Sequence, residues 1–144
     1  MDASKLPEFE LANESDDAGW KPEDGWSGIM PGRSTVEQVF AVLGQPDEHS
    51  EMANGDCFDF KGGLIRITIL SGQSAISKIW LSGDLSDGNL IPATLEEAVC
   101  CFGKLNATKR DAMHAQIFER PGVRVACNPS EPRLSIRWLE LYEY

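Results

Sequence analysis

The strongest constraint on the fold is a pattern that recurs 59 residues along the chain. Residues 34–46 read STVEQVFAVLGQP, and residues 93–105 read ATLEEAVCCFGKL. Thr35 aligns with Thr94, Val36 with Leu95, Glu37 with Glu96, Leu43 with Phe102 and Gly44 with Gly103. The same offset sets Gly63 on Gly122 and Ser71 on Ser130, and SKIWL at 77–81 matches SIRWL at 135–139 after a one-residue gap. A repeat of this length points to one supersecondary unit used twice.

Each copy opens as a helix. Ser34 or Thr35, and Thr94 in the second copy, offer a side-chain oxygen to the first free N–H groups, and acids follow in the first turn. Val36, Val39, Phe40 and Leu43 fall on one stripe, as do Leu95, Ala98, Val99 and Phe102. Gly44 and Gly103 close the helices where a left-handed residue is needed, and Pro46 blocks continuation of the first. Extended stretches follow at 57–60, 64–70 and 75–81, and again at 115–119, 123–127 and 133–141. The turn signals are Lys61-Gly62-Gly63, Ser71-Gly72-Gln73, Pro121-Gly122 and residues 128–132. Residues 109–114 are predicted to add a helical turn.

The expected fold is therefore α+β: two tandem units, each a helix plus an antiparallel three-stranded meander, in two layers. The meanders either join into one sheet of about six strands or pack as neighbours; the alternation is compatible with both. The expected boundaries are an acidic, largely flexible segment at 1–28, a first unit at 29–83, a linker at 84–92 and a second unit at 93–144. Residues 29–144 are expected to form one compact domain. Trp20 and Trp26 are expected to pin the end of the acidic segment, next to a turn at Asp24-Gly25.

Residues 29–46, IMPGRSTVEQVFAVLGQP, followed by a meander, resemble the repeat of the small outer-membrane-assembly lipoprotein family and of the related tandem-repeat β-lactamase inhibitor family. The matching positions are Gly32, Ser34, Val39, Leu43, Gly44 and Pro46. The second copy departs from the pattern, with Leu105 where the proline belongs. The resemblance implies a binding module whose open sheet face meets another protein. The envelope role of the lipoproteins is not expected to carry over.

Charge narrows the partners. The chain of 144 residues has 23 acids against 13 bases, a net charge of −10. Eight of the acids lie in residues 1–30 against only Lys5 and Lys21. Such a field disfavours nucleic acid, whose binding needs Lys and Arg on phosphates, and equally disfavours an anionic membrane. It steers in a basic protein. No stretch approaches the ~18 consecutive apolar residues of a membrane span. The opening MDASKLPEFE lacks the apolar core of a secretory signal, so a cytoplasmic location is expected. Cys57, Cys100, Cys101 and Cys127 form no C-x-x-C pair and are expected to be reduced thiols.

Catalytic chemistry finds little support, and the chain is not expected to be an enzyme or to hold a metal or cofactor. His49 and His114 are the only histidines. His49 with Cys57 and Asp59 is the one conceivable nucleophilic set, but a surface histidine explains His49 as well. His114 is expected to be partly buried. Were there a pocket between the units for a small molecule or a reaction, His49, Cys57 and Arg124 would be its first candidates. The better candidates for function lie on the sheet. If Ile65, Ile67 and Ile69 face the helices, Arg66 faces out. On the third strand Ile76, Lys78 and Trp80 oppose Ala75, Ser77, Ile79 and Leu81. On the last, Leu134, Ile136 and Trp138 oppose Arg133, Arg137 and Leu139. A partner-binding face built from Trp80, Arg66, Lys78, Arg124, Arg137 and Trp138 is expected, because Trp and Arg dominate binding hot spots. The chain is expected to be a monomer or a weak homodimer. A dimer would use a free sheet edge at the apolar C-terminal strand, WLELYEY at 138–144.

Overall fold

In a computed structural model of the chain, residues 26–88 and 90–143 are described. Residues 1–25 of the expected flexible segment, with the Trp20 contact and the Asp24-Gly25 turn, lie outside these residues, while Trp26 is buried and paired with Ile29.

Helix α1 spans Val36–Leu43. Of the two possible caps, Thr35 is the one used. Its Oγ1 accepts from Gln38 N at 3.2 Å, and Gln38 Oε1 accepts from Thr35 N at 3.0 Å, a reciprocal capping box. Ser34 is buried instead, its hydroxyl accepting from Met30 N. Helix α2 spans Leu95–Phe102 and is capped by Thr94, whose Oγ1 accepts from Glu97 N at 3.3 Å. Gly44 and Gly103 end the helices at φ 86°, ψ −163° and φ 83°, ψ −168°. Both therefore lie in the extended positive-φ region reserved for glycine, not in the left-handed helical region the sequence suggests.

The strands are β1 (Glu48–Met52), β2 (Gly55–Phe60), β3 (Ile65–Leu70), β4 (Lys78–Ser82), β5 (Asn106–Arg110), β6 (Gln116–Arg120), β7 (Val123–Cys127) and β8 (Ile136–Tyr142). They form one antiparallel sheet of eight strands, in the order β1-β2-β3-β4-β8-β7-β6-β5. This overturns the expected pair of helix-plus-three-strand meanders. The two strands missing from that expectation are β1 and β5, and every residue of both is exposed. They read EHSEM and NATKR, with no apolar alternation to betray them. Backbone pairing to a single neighbour holds each in place at the rim. The helical turn predicted over 109–114 is lost for the same reason: Asn106–Arg110 is strand, and a turn follows in which His114 N donates to Asp111 O at 3.0 Å. His114 itself is exposed, at φ +67°, not partly buried.

The C-terminal strand is not an edge. β8 pairs with β4 on one side and β7 on the other, so it joins the two halves at the centre of the sheet. Leu81 and Leu139, the residues aligned by SKIWL and SIRWL, lie directly opposite one another there.

One face of the sheet carries the core. Phe60, Ile65, Ile67, Ile79, Leu81, Val123, Val125, Leu139 and Leu141 are buried with Val39 of α1 and with Ala98 and Phe102 of α2. Each fully buried aliphatic side chain of this kind contributes about 1.5–3 kcal/mol. Phe40 meets Phe58 and Phe60 edge-on, with ring centroids 5.4 and 6.1 Å apart. Residues 84–92, expected as a linker, begin within a 3-10 turn at Gly83–Gly88 and send Leu85 and Ile91 into this core, while Trp26 Nε1 donates to Leu90 O at 3.0 Å. Among the described residues no helix is long and apolar enough to cross a membrane.

Candidate protein-binding face

Both helices pack on the face that holds Ile65, Ile79 and Leu139, so alternation turns Arg66, Trp80 and Glu140 to the other side. There the register aligns a row of side chains across the whole sheet: Glu48, Asp59, Arg66, Trp80, Glu140, Arg124, Glu119 and Asn106. From Asp59 to Glu119 acids and bases alternate on either side of Trp80, and neighbours are tied together. Arg66 Nε sits 3.5 Å from Asp59 Oδ1, and its guanidinium carbon lies 5.4 Å from the centre of the Trp80 ring. Arg124 Nη1 donates to Glu140 Oε1 at 2.8 Å, and its Nε donates to Glu119 Oε1 at 3.2 Å. Thr108 Oγ1 donates to Glu119 Oε2 at 2.6 Å.

The adjacent row brings Ser50, Cys57, Thr68, Lys78 and Tyr142 into line. Lys78 Nζ reaches Glu140 Oε2 at 3.6 Å, and the Arg124 guanidinium covers the Tyr142 ring at 4.7 Å. Beyond it, Met52, Gly55 and Leu70 align, and Met52 and Leu70 are both exposed.

The six residues expected at a binding face are thus divided. Trp80, Arg66, Lys78 and Arg124 form one continuous group on the open face. Trp138 is on the same face but sits in a separate small cluster with Ala115, Ile117 and Ala126. Its Nε1 donates to Asp111 Oδ2 at 3.2 Å. Arg137 reaches the same turn, donating to Met113 O at 3.4 Å. The expected alternation fails at this point because Cys127 pairs with Ile136 and Ala126 with Trp138, leaving Arg137 as the extra residue of a β-bulge. Ile136 therefore faces the main core and Trp138 does not, although they stand two positions apart on one strand, a spacing that ordinarily shares a face. Glu140, Glu119, Asp59 and Tyr142 complete the face and are absent from the sequence-based set. For Glu140 and Tyr142 the available signal was their even spacing from Trp138 along one strand.

The nucleophilic set considered from sequence is not brought together. His49 pairs with Phe58 and stacks on its ring at 4.5 Å, on the helix side, with Nε2 3.0 Å from Asp56 Oδ1. Cys57 and Asp59 point to the other side. Burial pushes the Cys57 thiol up, and the neighbouring Asp59 charge and hydrogen bond raise it further, so it is a thiol rather than a nucleophilic thiolate at neutral pH. Burial likewise pushes Cys127 up to about 12. Among the described residues no three His, Cys, Asp or Glu side chains are grouped to hold a metal ion.

Two carboxylates on this side of the sheet, Glu119 and Asp111, have lowered pKa values. The Thr108 hydrogen bond lowers the Glu119 pKa despite its burial, and Arg124 lowers it further. For Asp111, burial acts upward, but hydrogen bonds from Ala115, Trp138 and Met113 and the Arg137 charge bring it below the usual range. Burial acts downward on Arg124, and its bond to Glu119 with the charges of Glu140 and Glu119 more than offsets that, leaving it raised. A carboxylate whose folded pKa is depressed adds stability above its unfolded value, about 4.3 for glutamate, and loses it as pH falls through the folded value. Glu119→Gln is therefore expected to melt below the parent at pH 6, with the gap closing toward pH 3. Thermal melts across that range check it, and a gap independent of pH would count against the Thr108–Glu119–Arg124 bonding.

No protein-family profile and no curated protein matches this chain. Solved structures of similar fold include two from Bacillus species. A DUF4309 family protein (YjgB) from Bacillus subtilis shares 16% identity over 81% of this chain and 83% of its own, with a TM-score of 0.53. An extracellular protein containing a SCP domain from Bacillus anthracis shares 8% identity over 93% of this chain, with a TM-score of 0.53; the match spans about half, 49%, of that protein. At these identities the likeness is one of fold alone. Neither is described as a member of the lipoprotein or inhibitor repeat families that residues 29–46 resemble.

Proposed function

We propose that this chain is a non-enzymatic protein-binding module, an inhibitor, immunity-like protein or adaptor, whose contact surface is the open sheet face. The observation that supports it is the group Arg66, Trp80, Lys78, Arg124 and Tyr142, held in register on the face that bears neither helix. Aromatic and arginine side chains concentrate binding energy when a partner desolvates them. Here the cross-strand ion pairs fix them before any partner arrives, which lowers the entropy lost on binding. The net charge of −10 favours a basic partner and a fast, salt-sensitive encounter.

The test is capture from the host lysate with the full chain as bait, followed by affinity measurement with the purified partner. Trp80→Ala is expected to weaken that partner by at least about tenfold, because a central tryptophan that a partner covers is a hot spot. Arg66→Glu takes the net charge from −10 to about −12, so association with a basic partner is expected to quicken and its salt dependence to steepen, while loss of the guanidinium beside Trp80 speeds dissociation. A partner that binds both variants as it binds the parent, with melting temperatures unchanged, would show that the open face is not the contact surface.

A further inference from the structure

The two edges of the sheet carry opposite charge. We propose that copies of this chain associate head to tail, the acidic edge strand β1 of one lying beside the basic edge strand β5 of the next, so that the sheet continues from copy to copy. Both strands are five residues long, both are terminal in the strand order, and all ten residues are exposed. Each pairs on one side only among the described residues, leaving a row of backbone groups on the other, which is a template for a further strand. β1 carries Glu48 and Glu51, directly after Asp47. β5 carries Lys109 and Arg110, with Lys104 just before it. In a chain with a net charge of −10 a basic edge stands out.

Geometry and charge select the same arrangement. Eight is an even number and every neighbouring pair is antiparallel, so β1 and β5 run in opposite directions. A second copy in the same orientation therefore sets its β5 antiparallel to β1 of the first, and the helix-bearing faces stay on one side. A symmetric dimer through two β1 strands sets carboxylates against carboxylates, and one through two β5 strands sets cations against cations. The contact left attractive is heterologous and so propagates rather than closing as a pair. Because its ion pairs are exposed, it is weak and sensitive to salt.

Sedimentation velocity on the full chain tests this. At low salt the weight-average mass is expected to rise with protein concentration. In about 1 M salt, where the screening length is about 3 Å, it is expected to return to that of the monomer. Lys109→Glu with Arg110→Glu makes both edges acidic, and Glu48→Lys with Glu51→Lys makes both basic. Each variant alone is expected to stay monomeric at low salt, and an equimolar mixture of the two to associate. All four positions are exposed, and equal melting temperatures confirm that folding is intact. The single variants Lys109→Glu and Glu48→Lys provide a milder second pair. Amide exchange at 48–52 and 106–110 is expected to slow on association, whereas Trp80→Ala associates as the parent does. A parent that stays monomeric at low salt, a mixture that fails to associate, or slowed exchange on the open face instead of the edges would each overturn the proposal.

Discussion

Leu139→Ala is expected to lower the free energy of unfolding by about 2–5 kcal/mol, the usual cost of emptying a fully buried leucine site. The loss is expected within a single transition. Leu139 is 0% exposed and lies between Leu81 and Val125 on the flanking strands, both also 0% exposed. Neighbouring strands hydrogen-bonded on both sides cannot close the cavity without losing register, so relaxation recovers little. The position is also the seam between the two halves of the chain, since β8 of the second half pairs with β4 of the first. If the halves were separate cooperative units, a cavity in the second would shift only part of the unfolding curve. With one sheet and one core running through Ile65, Leu81, Leu139 and Val125, the whole curve shifts together. Urea denaturation followed by tryptophan fluorescence and by far-UV circular dichroism decides it. Two separated transitions, or a loss below about 1 kcal/mol, would count against a shared core at this seam.

What the sequence reveals and what it hides follow from where each residue sits. Thr35, Thr94, Gly44 and Gly103 are readable because capping is a local matter between neighbours in the chain. Ile65, Ile67, Ile79 and Leu81 are readable because one buried face imposes a period of two. β1 and β5 are hidden because edge strands exposed throughout need no such period. The C-terminal strand is misread for the opposite reason. Leu139, Glu140 and Leu141 are all buried, and an apolar strand of that kind suits the middle of a sheet as well as a sticky rim. Only strand order distinguishes the two. On the candidate face, Arg66, Lys78, Trp80 and Arg124 could be named from alternation, whereas Arg137 and Trp138 could not be placed, because a bulge shifts the phase by one residue and leaves no mark in the sequence. Glu140 escaped notice since a glutamate reads as solvated until Arg124 and Lys78 are known to flank it.

Glu140 is where the stability of the sheet and its proposed binding role meet. Glu140→Ala is expected to cost about 2–3 kcal/mol, because the substitution leaves charged donors on the flanking strands without their acceptor. The residue is only 7% exposed, yet its carboxylate accepts from Arg124 at 2.8 Å and sits 3.6 Å from Lys78. Without it the Arg124 guanidinium, raised in pKa and pressed over the Tyr142 ring, keeps only Glu119. Arg124→Ala is expected to be costly for the matching reason, and the two substitutions together to cost less than their separate effects combined, by about 1–3 kcal/mol of coupling. Arg124→Leu with Glu140→Leu removes both charges and fills the space, so its stability is expected to return close to that of the parent. Urea denaturation of the four proteins measures the coupling, and additive costs would mean that the bond contributes nothing. The leucine pair then separates two roles that a single substitution confounds. If the row of ion pairs merely holds the strands in register, the leucine pair folds and still binds the partner. If the row is itself the contact surface, the pair folds as well as the parent and the partner is lost.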